Sequence, residues 1–428
     1  MTRELSDWLD GYLEYVEMTE PSDLYKKWVG VSVIASCLQR KCYMLWDEHI
    51  YPNMYIILVG KTAARKSTAM RPGGELIRKM RVPLAAESTT REALIRAIGE
   101  SIQQMIDPVT NLPIFHSSIT LFHSELAVFM GSDRVDKQML LDLTHLYDCP
   151  DPWKYDTKHE GTDDIQCVWF NLLGAITPEM VKRCFPREAI GGGLTGRMIF
   201  VYASGKGRTI GDPTLYHKRQ AELKEPLIAD LEYISMLSGE FKPTDEYKRI
   251  YVDWYENMHD GKDKEREDTP FKGERDLEGY VGRRPTHVKK LSIMMSASRG
   301  DDKILTADDF FRAYNLLKET EEVMPYSFKA FGKVEPQELM ALVMDTVARA
   351  GRIMFSQLVA KYQNMCMARD MFEIVRSMNA SKFTTMQPVG GDDWVIRVLS
   401  KEERQNLLSN SDIGLASPEL EEGGPKVS

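Results

Sequence analysis

Tyr55-Ile-Ile-Leu-Val-Gly-Lys-Thr-Ala-Ala-Arg-Lys-Ser-Thr68 decides how the rest of this chain is read. The apolar run Tyr55 to Val59 has the length and composition of a buried strand. Gly60 opens a tight loop, and Lys66-Ser67-Thr68 begins a helix. Strand, Gly-x-x-x-x-Gly-Lys-[Ser/Thr] and helix, in that order, make up a phosphate-binding loop. The spacing from Gly60 to Lys66 and Ser67 fits, whereas Arg65 stands where the second glycine belongs and gives up that glycine's conformational freedom. In such a loop the backbone of Gly60, Lys61, Thr62, Ala63, Ala64, Arg65, Lys66, Ser67 and Thr68 curls around the phosphates of ATP, aided by the partial charge of the helix N-terminus. Lys66 then reaches the β- and γ-phosphates, and Ser67 holds Mg²⁺. The plainer alternative is a strand, turn and helix with an incidental Lys-Ser pair.

A phosphate loop needs partners further along the chain. Ile119-Thr-Leu-Phe-His-Ser-Glu125 reads as a strand ending on an acidic group, which polarises the attacking water and organises Mg²⁺. Glu125 is the expected catalytic carboxylate. Where an Asp-Glu pair is usual the chain has Ser124-Glu125, so Mg²⁺ is left to lean on Ser67, water and phosphate. Val168-Trp-Phe-Asn171-Leu-Leu-Gly-Ala-Ile-Thr177-Pro reads as a third strand beside the nucleotide. Ligands of parallel sheets lie beyond the carboxyl ends of strands, which favours Thr177 over Asn171 as the group that senses the γ-phosphate. For Asn171 the alternative is a hydrogen-bonded buried amide. Gly191-Gly-Gly-Leu-Thr-Gly-Arg197 presents an arginine on a glycine-rich loop just before an apolar strand. Arg197 suits a finger donated to a neighbouring subunit's nucleotide, where a planar guanidinium stabilises charge on the transferred phosphoryl group. A solvated arginine on a surface loop is the alternative.

The 428 residues leave room for about two to four folding units. The composition, 43% hydrophobic and 28% charged, is ordinary for a globular protein. No apolar run is long enough to cross a bilayer, and the N-terminus lacks the apolar segment of a signal peptide. A soluble, cytoplasmic protein with no membrane partner is expected. The 6 cysteines show no C-x-x-C spacing and the 8 histidines no H-E-x-x-H, so reduced thiols are expected and no zinc site. A net charge of −9 argues against a protein coated in basic residues, though a ring with acidic outside and basic inner loops remains compatible with it.

Residues 1–50 read as helical. Residues 51–205 alternate helices with strands at 55–59, 82–85, 119–124, 167–174 and 197–203, the pattern of an α/β core on a mostly parallel sheet. Residues 105–117, with two prolines, read as a loop. Residues 206–330 turn polar and helical, with amphipathic helices over 285–298 and 307–322 and a charged exposed excursion over 259–275. Residues 335–400 give three helices and a two-stranded hairpin, the winged-helix pattern. Residues 401–428 read as a disordered tail.

Together, Pro52-Asn-x-Tyr-Ile-Ile-Leu-Val-Gly with Arg-Lys-Ser-Thr, Ser-Glu-Leu-Ala at 124–127, Leu-Leu-Gly-Ala-Ile-Thr-Pro-Glu at 172–179 and Gly-Leu-Thr-Gly-Arg at 193–197 resemble a phage and prophage family of primase-helicase-type P-loop ATPases. The resemblance covers roughly residues 20–330 and rests on the ordered series rather than on any one motif. It implies a P-loop NTPase core of the AAA+/RecA-like kind. Within AAA+ ATPases the chain is similar to the branch that holds viral superfamily 3 and minichromosome maintenance helicases. The resemblance thus implies an ATP-driven, ring-forming, hexameric helicase of phage DNA replication, moving on single-stranded DNA. That branch carries a β-hairpin before the sensor strand, and Trp153 to Gly161 lies in its slot. There Lys154, Lys158 and His159 would contact backbone phosphate and Tyr155 would stack on a base, unless the segment is a solvated loop. The resemblance also implies a second sensing arginine from a helical lid over 206–330: Arg284, with Arg283 next in line. The family often has arginine at the position of Arg65. Ser124 and the absence of a primase module depart from its pattern. The winged helix would bind DNA or other replication proteins. Its basic residues are nearly matched by acids, so protein docking stands level with DNA binding. Two rival readings are an ATP-binding helicase loader or adaptor that unwinds nothing, and a DNA-packaging motor, for which no nuclease carboxylate cluster is evident.

Overall fold

The computed structural model describes residues 3–403 apart from 88, 108–109, 132–135, 158–160, 186–192, 213, 215–216, 261–269, 272–276, 330–335, 363–367, 390–392 and 401–402. The chain divides into two units, Met1–Phe328 and Lys329–Ser428. In the first, helices α1 (Trp8–Tyr15) and α2 (Asp23–Leu38) precede two short strands, β1 (Cys42–Leu45) and β2 (His49–Ile50). Then come β3 (Tyr55–Val59), α3 (Lys66–Lys79), α4 (Arg91–Glu100), β4 (Ile102–Ile106), β5 (Pro113–His123), α5 (Leu126–Phe129) and α6 (Lys137–Tyr147). A hairpin of β6 (Trp153–Thr157) and β7 (Gly161–Ile165) leads to β8 (Val168–Ile176), α7 (Pro178–Cys184) and β9 (Met198–Tyr202). The longer helices that complete this unit are α8 (His217–Met236), α9 (Asp245–Asp260), α10 (Glu278–Arg299) and α11 (Ala307–Val323). Between them lie three two-residue strands, β10 (Gly239–Glu240), β11 (Lys242–Pro243) and β12 (Ile304–Leu305).

The unit is mixed α/β, built on a five-stranded sheet of order β4-β5-β8-β3-β9. All neighbours are parallel except β4 and β5. Every residue of β3 and β8 is buried. Parallel strands covered on both faces have no solvent side to mark with polar residues, which is why both read as unbroken apolar runs. Helix α3 packs closely on α2 at Gly73, where a Cβ would lie 2.5 Å from Val29 Cγ1. The N-terminal helices are tied into the same unit. Trp8 Nε1 donates to the Leu227 carbonyl at 2.9 Å, and Trp28 Nε1 donates to Thr320 Oγ1 at 2.8 Å.

Three expectations need correction. Residues 105–117 are not a loop: β4 and β5 pair antiparallel from Ile102↔Ser117 to Ile106↔Pro113. The alternating burial of β4 is the signature of a half-exposed strand, and Pro113 sits at a strand start, where a missing N–H costs no ladder bond. The expected strand at 82–85 shrinks to a bridge, Leu84↔Thr120, because Pro83 has no N–H to continue a ladder. The expected amphipathic helix over 285–298 is the inner part of α10, and it is buried almost all round, including Arg284, His287, Lys289 and Lys290. By contrast α11, opened by a Thr306–Asp309 capping box, buries one side.

The second unit holds α12 (Pro336–Ala350), β13 (Arg352–Met354), α13 (Phe355–Tyr362), α14 (Ala368–Ala380), β14 (Thr384–Pro388) and β15 (Trp394–Val398). Its sheet, order β13-β15-β14, is antiparallel throughout. Val343, Leu358, Met371, Val375 and Ile396 form the centre of its own core. Strand β13 was not expected, since three residues carry no readable period. Residues 390–392, within the expected hairpin, and the tail over 401–428, Glu403 aside, lie outside the described residues, as does most of the excursion over 259–275. Among the described residues no helix is long and apolar enough to cross a membrane.

Candidate functional site

The chain leaves the sheet at Val59, whose carbonyl accepts a hydrogen bond from Tyr25 Oη at 2.7 Å. Gly60 N then donates to the Ile176 carbonyl at 3.3 Å, so the turn stays tied to the end of β8. A Cβ on Gly60 would lie 2.4 Å from Tyr25 Oη and 2.8 Å from the Ala203 carbonyl, which only glycine avoids. Thr62–Ala64 form one 3₁₀ turn, closed by Ala64 N donating to the Lys61 carbonyl at 2.9 Å. Arg65 follows at φ 60, ψ 29, the left-handed region that a second glycine would occupy without strain. Its guanidinium Nε rests 2.8 Å from Glu20 Oε2. Helix α3 begins at Lys66, with Ser67 exposed and Thr68 half-buried in its first turn.

Lys66 is only 8% exposed, and its ammonium donates to the carbonyls of Gly60 and Lys61. Burial pushes its pKa down, and the charges of Glu125 and Glu179 oppose that shift. Glu125 follows the end of β5. Its N–H donates to His123 Nδ1 at 2.8 Å, which fixes the corner and leaves the exposed carboxylate free of any described ion pair. Thr177 closes β8 half-buried, at the N-cap of α7. Lys61, Thr62 and Ala63 are exposed, whereas Ala64 is buried. The structure therefore brings the Gly60–Thr68 turn, Glu125 and Thr177 to one edge of the sheet, the carboxyl ends of β3, β5 and β8. Glu179, in the first turn of α7, joins them and was missed as a site residue. Its signal was present: Thr177-Pro178 after an apolar run caps and starts a helix at once and keeps the next residue near the strand end.

Other expected site residues lie elsewhere. Asn171 is fully buried in the middle of β8. Its Oδ1 accepts from Met54 N at 2.9 Å, and its Nδ2 donates to Ser32 and Ser36 Oγ at 3.3 and 3.2 Å. That amide joins β8 to β3 and α2 and does not face the turn, so Asn171 is the hydrogen-bonded buried amide weighed against a nucleotide-binding role and that role is corrected. Arg284 is likewise fully buried, with Nε 2.6 Å and Nη2 2.8 Å from the two oxygens of Glu321. It lies over the rings of Trp254 and Tyr314, at 5.3 and 5.5 Å. It is a link between α10 and α11, and the sensing role expected of it is corrected on that ground. Arg283 is half-exposed, 3.6 Å from Asp148.

Arg197 stands just before β9, at the opposite end of the sheet from the turn, since Met198 pairs with Tyr55. Its side chain is 11% exposed and donates to Asp148 Oδ2 at 2.6 Å and to the Gly193 carbonyl at 3.1 Å. Its buried Nε has no hydrogen-bond partner among the described residues. The neighbouring Gly196 packs so tightly on α10 that a Cβ would lie 2.5 Å from the Gly279 carbonyl. His287 Nε2 donates to the Gly196 carbonyl at 3.0 Å.

In the β6–β7 hairpin, the register sets Asp164 opposite Lys154 and Asp163 opposite Tyr155. Lys154 is exposed; Lys158 and His159 lie outside the described residues. Among the described residues no group of three or more His, Cys, Asp or Glu is arranged to hold a metal. The donors at the turn are all oxygen, from Ser67 and the two carboxylates, which suits Mg²⁺ held jointly with phosphate rather than an all-protein cage.

No protein-family model matches the chain, and no curated protein matches it either.

Proposed function

We propose that the chain is an ATP-driven, ring-forming DNA helicase whose nucleotide sits on the Gly60–Thr68 turn. The observation that carries this reading is Arg65 in the left-handed conformation between a buried parallel strand and the helix that starts at Lys66. An arginine adopts that conformation against a cost of about 1–2 kcal/mol, so the turn is shaped in spite of its sequence. A P-loop NTPase fold of the AAA+ kind accounts for the turn, for Glu125 at the same edge and for parallel β3, β8 and β9.

In this reading Lys66 exchanges the Gly60 and Lys61 carbonyls for the β- and γ-phosphates. Ser67 faces the metal side, and Glu125 orients the attacking water. Mg²⁺, which Ser67 would help to hold, would supply positive charge to offset the charge that develops during phosphoryl transfer. Thr177 remains the sensing candidate at the strand end. Arg197 is too far along the sheet to serve its own turn, because the length of β3 separates them, about 15 Å at strand rise. It would act on the neighbouring subunit's nucleotide in a hexamer, after release from Asp148. The second unit, with three helices and a small antiparallel sheet, is read as a winged helix. Two of its arginines already pair with acids, Arg349 with Asp345 and Arg397 with Glu403, which favours docking to a replication protein over duplex DNA. A cytoplasmic location belongs to the same proposal.

The hairpin register favours a second reading. With Asp163 and Asp164 at the register positions opposite Tyr155 and Lys154, the strand pair carries more acid than base, a poor composition for gripping DNA phosphate. A helicase loader or adaptor needs the ATP site but no such grip. Purified protein assayed for ATP hydrolysis and for unwinding of forked DNA separates the two. Hydrolysis with strand separation supports the helicase, and hydrolysis without it supports the loader. Lys66→Ala is expected to abolish hydrolysis in both, and Arg197→Ala to spare nucleotide binding while removing turnover. Full hydrolysis by Lys66→Ala would sink both.

A further inference from the structure

The strand that supplies Glu125 carries Ser124 where a carboxylate is expected beside it. A serine hydroxyl is neutral and offsets no metal charge. We propose that Glu179, on the neighbouring strand's exit, supplies the second carboxylate of the Mg²⁺–nucleotide site. The inference rests on the nucleotide reading above.

The geometry starts from β8. Ile176, its last residue, pairs with Val59, and the Ile176 carbonyl takes the Gly60 N–H at 3.3 Å. The residues directly after Ile176 therefore abut the turn. They are Thr177 at the N-cap and Pro178 at the first helical position. Proline's fixed φ starts the helix immediately, so Glu179 stays within the first turn. Strand β8 neighbours β3 directly, whereas β5, which carries Glu125, is one strand further away. Glu179 is exposed and makes no ion pair among the described residues.

Mg²⁺ prefers octahedral oxygen coordination from one or two carboxylates, water and substrate phosphates. Ser67 and Glu179 would meet that preference from two sides of the turn, directly or through water, and leave Glu125 to the attacking water. The same arrangement works against a triphosphate that arrives without metal, because Glu179 then repels it.

The test uses the full chain and does not depend on turnover. Mn²⁺, observed by electron paramagnetic resonance, titrates the complex with a non-hydrolysable ATP analogue. A fluorescent ATP analogue measures binding in excess chelator. Glu179→Gln is expected to weaken Mn²⁺ about tenfold or more, a usual loss when a metal's supporting carboxylate is removed. It should leave metal-free nucleotide binding unchanged or tighter. Glu125→Gln should lower turnover with a much smaller effect on Mn²⁺. Should Glu179→Gln bind nucleotide normally and hold Mn²⁺ within about twofold of the parent, the assignment is overturned. If the parent chain binds no nucleotide at all, the nucleotide reading fails first and takes this one with it. Glu179→Asp, expected to fall between parent and Gln, guards against a folding artefact.

Discussion

Arg65 holds a conformation that its side chain opposes. Replacing it with glycine removes the left-handed penalty of about 1–2 kcal/mol, against about 0.5–1 kcal/mol of extra chain entropy in the unfolded state. The lost Glu20 pair is half-exposed on the arginine side and contributes little. Arg65→Gly is therefore expected to be neutral to slightly stabilising in urea unfolding, with nucleotide binding retained. Asn171 is the opposite case. Asn171→Ala would strand the buried Met54 N–H and take a donor from the Ser32 hydroxyl, while Ser36 keeps its bonds to the Ser32 carbonyl and Thr120 Oγ1, costing about 2–3 kcal/mol in the same experiment. If Asn171→Ala instead leaves stability intact and weakens nucleotide binding, the sensor reading regains its ground. Sequence polarity marked both residues as unusual. It did not tell a ligand-facing amide from a structural one, because that depends on Ser32, Ser36 and Met54, all more than a hundred positions away.

At the scale of elements, α10 shows what helical periodicity leaves out. It is surrounded, so its charged residues are neutralised by packing partners instead of by water. Arg284 meets Glu321, and Lys290 donates to the Asn53 carbonyl at 3.1 Å while lying 4.1 Å from the Tyr147 ring centre. Burial pushes Lys290 down to about 8 and His287 down to about 3. His287 fixes a pH dependence. Above 6.5 it is neutral folded and unfolded, so it contributes no slope. As the pH falls from 6.5 towards 3, the unfolded chain takes up a proton that the folded chain refuses, and stability drops. The expected slope is about 1.4 kcal/mol per pH unit from this group, and His287→Gln should flatten it. Chemical unfolding of both proteins between pH 7 and pH 4 checks this; equal slopes would rule it out. The β4–β5 hairpin was hidden for a related reason. Strand β4 has only five residues, three of them exposed, and its partner strand begins at a proline that reads as a break.

For the whole molecule, the division at Phe328 has a direct consequence. Residues 1–328 contain the sheet, the turn, Glu125, Glu179 and Arg197, and the second unit has its own core. A protein ending at Phe328 is expected to fold with near-parental melting behaviour and to bind nucleotide. Loss of cooperative unfolding in that protein would show that the two units depend on each other. Arg197 belongs to this scale as well. Asp148, 49 positions earlier, holds it in the single chain, and no local pattern announces that pairing.

By itself the amino-acid sequence determined the buried strands β3 and β8, the glycine-led turn after the first, and the presence of acidic and hydroxyl groups where strands end. Those features are local: a strand covered on both faces must be apolar along its length, and a tight turn needs its glycine where the backbone crowds. Only the tertiary structure decided which polar residues are free to meet a ligand. Arg284 and Asn171 are consumed by distant partners, while Glu179 is exposed and without an ion pair among the described residues, because burial and pairing are properties of neighbours in space and no stretch of chain records them.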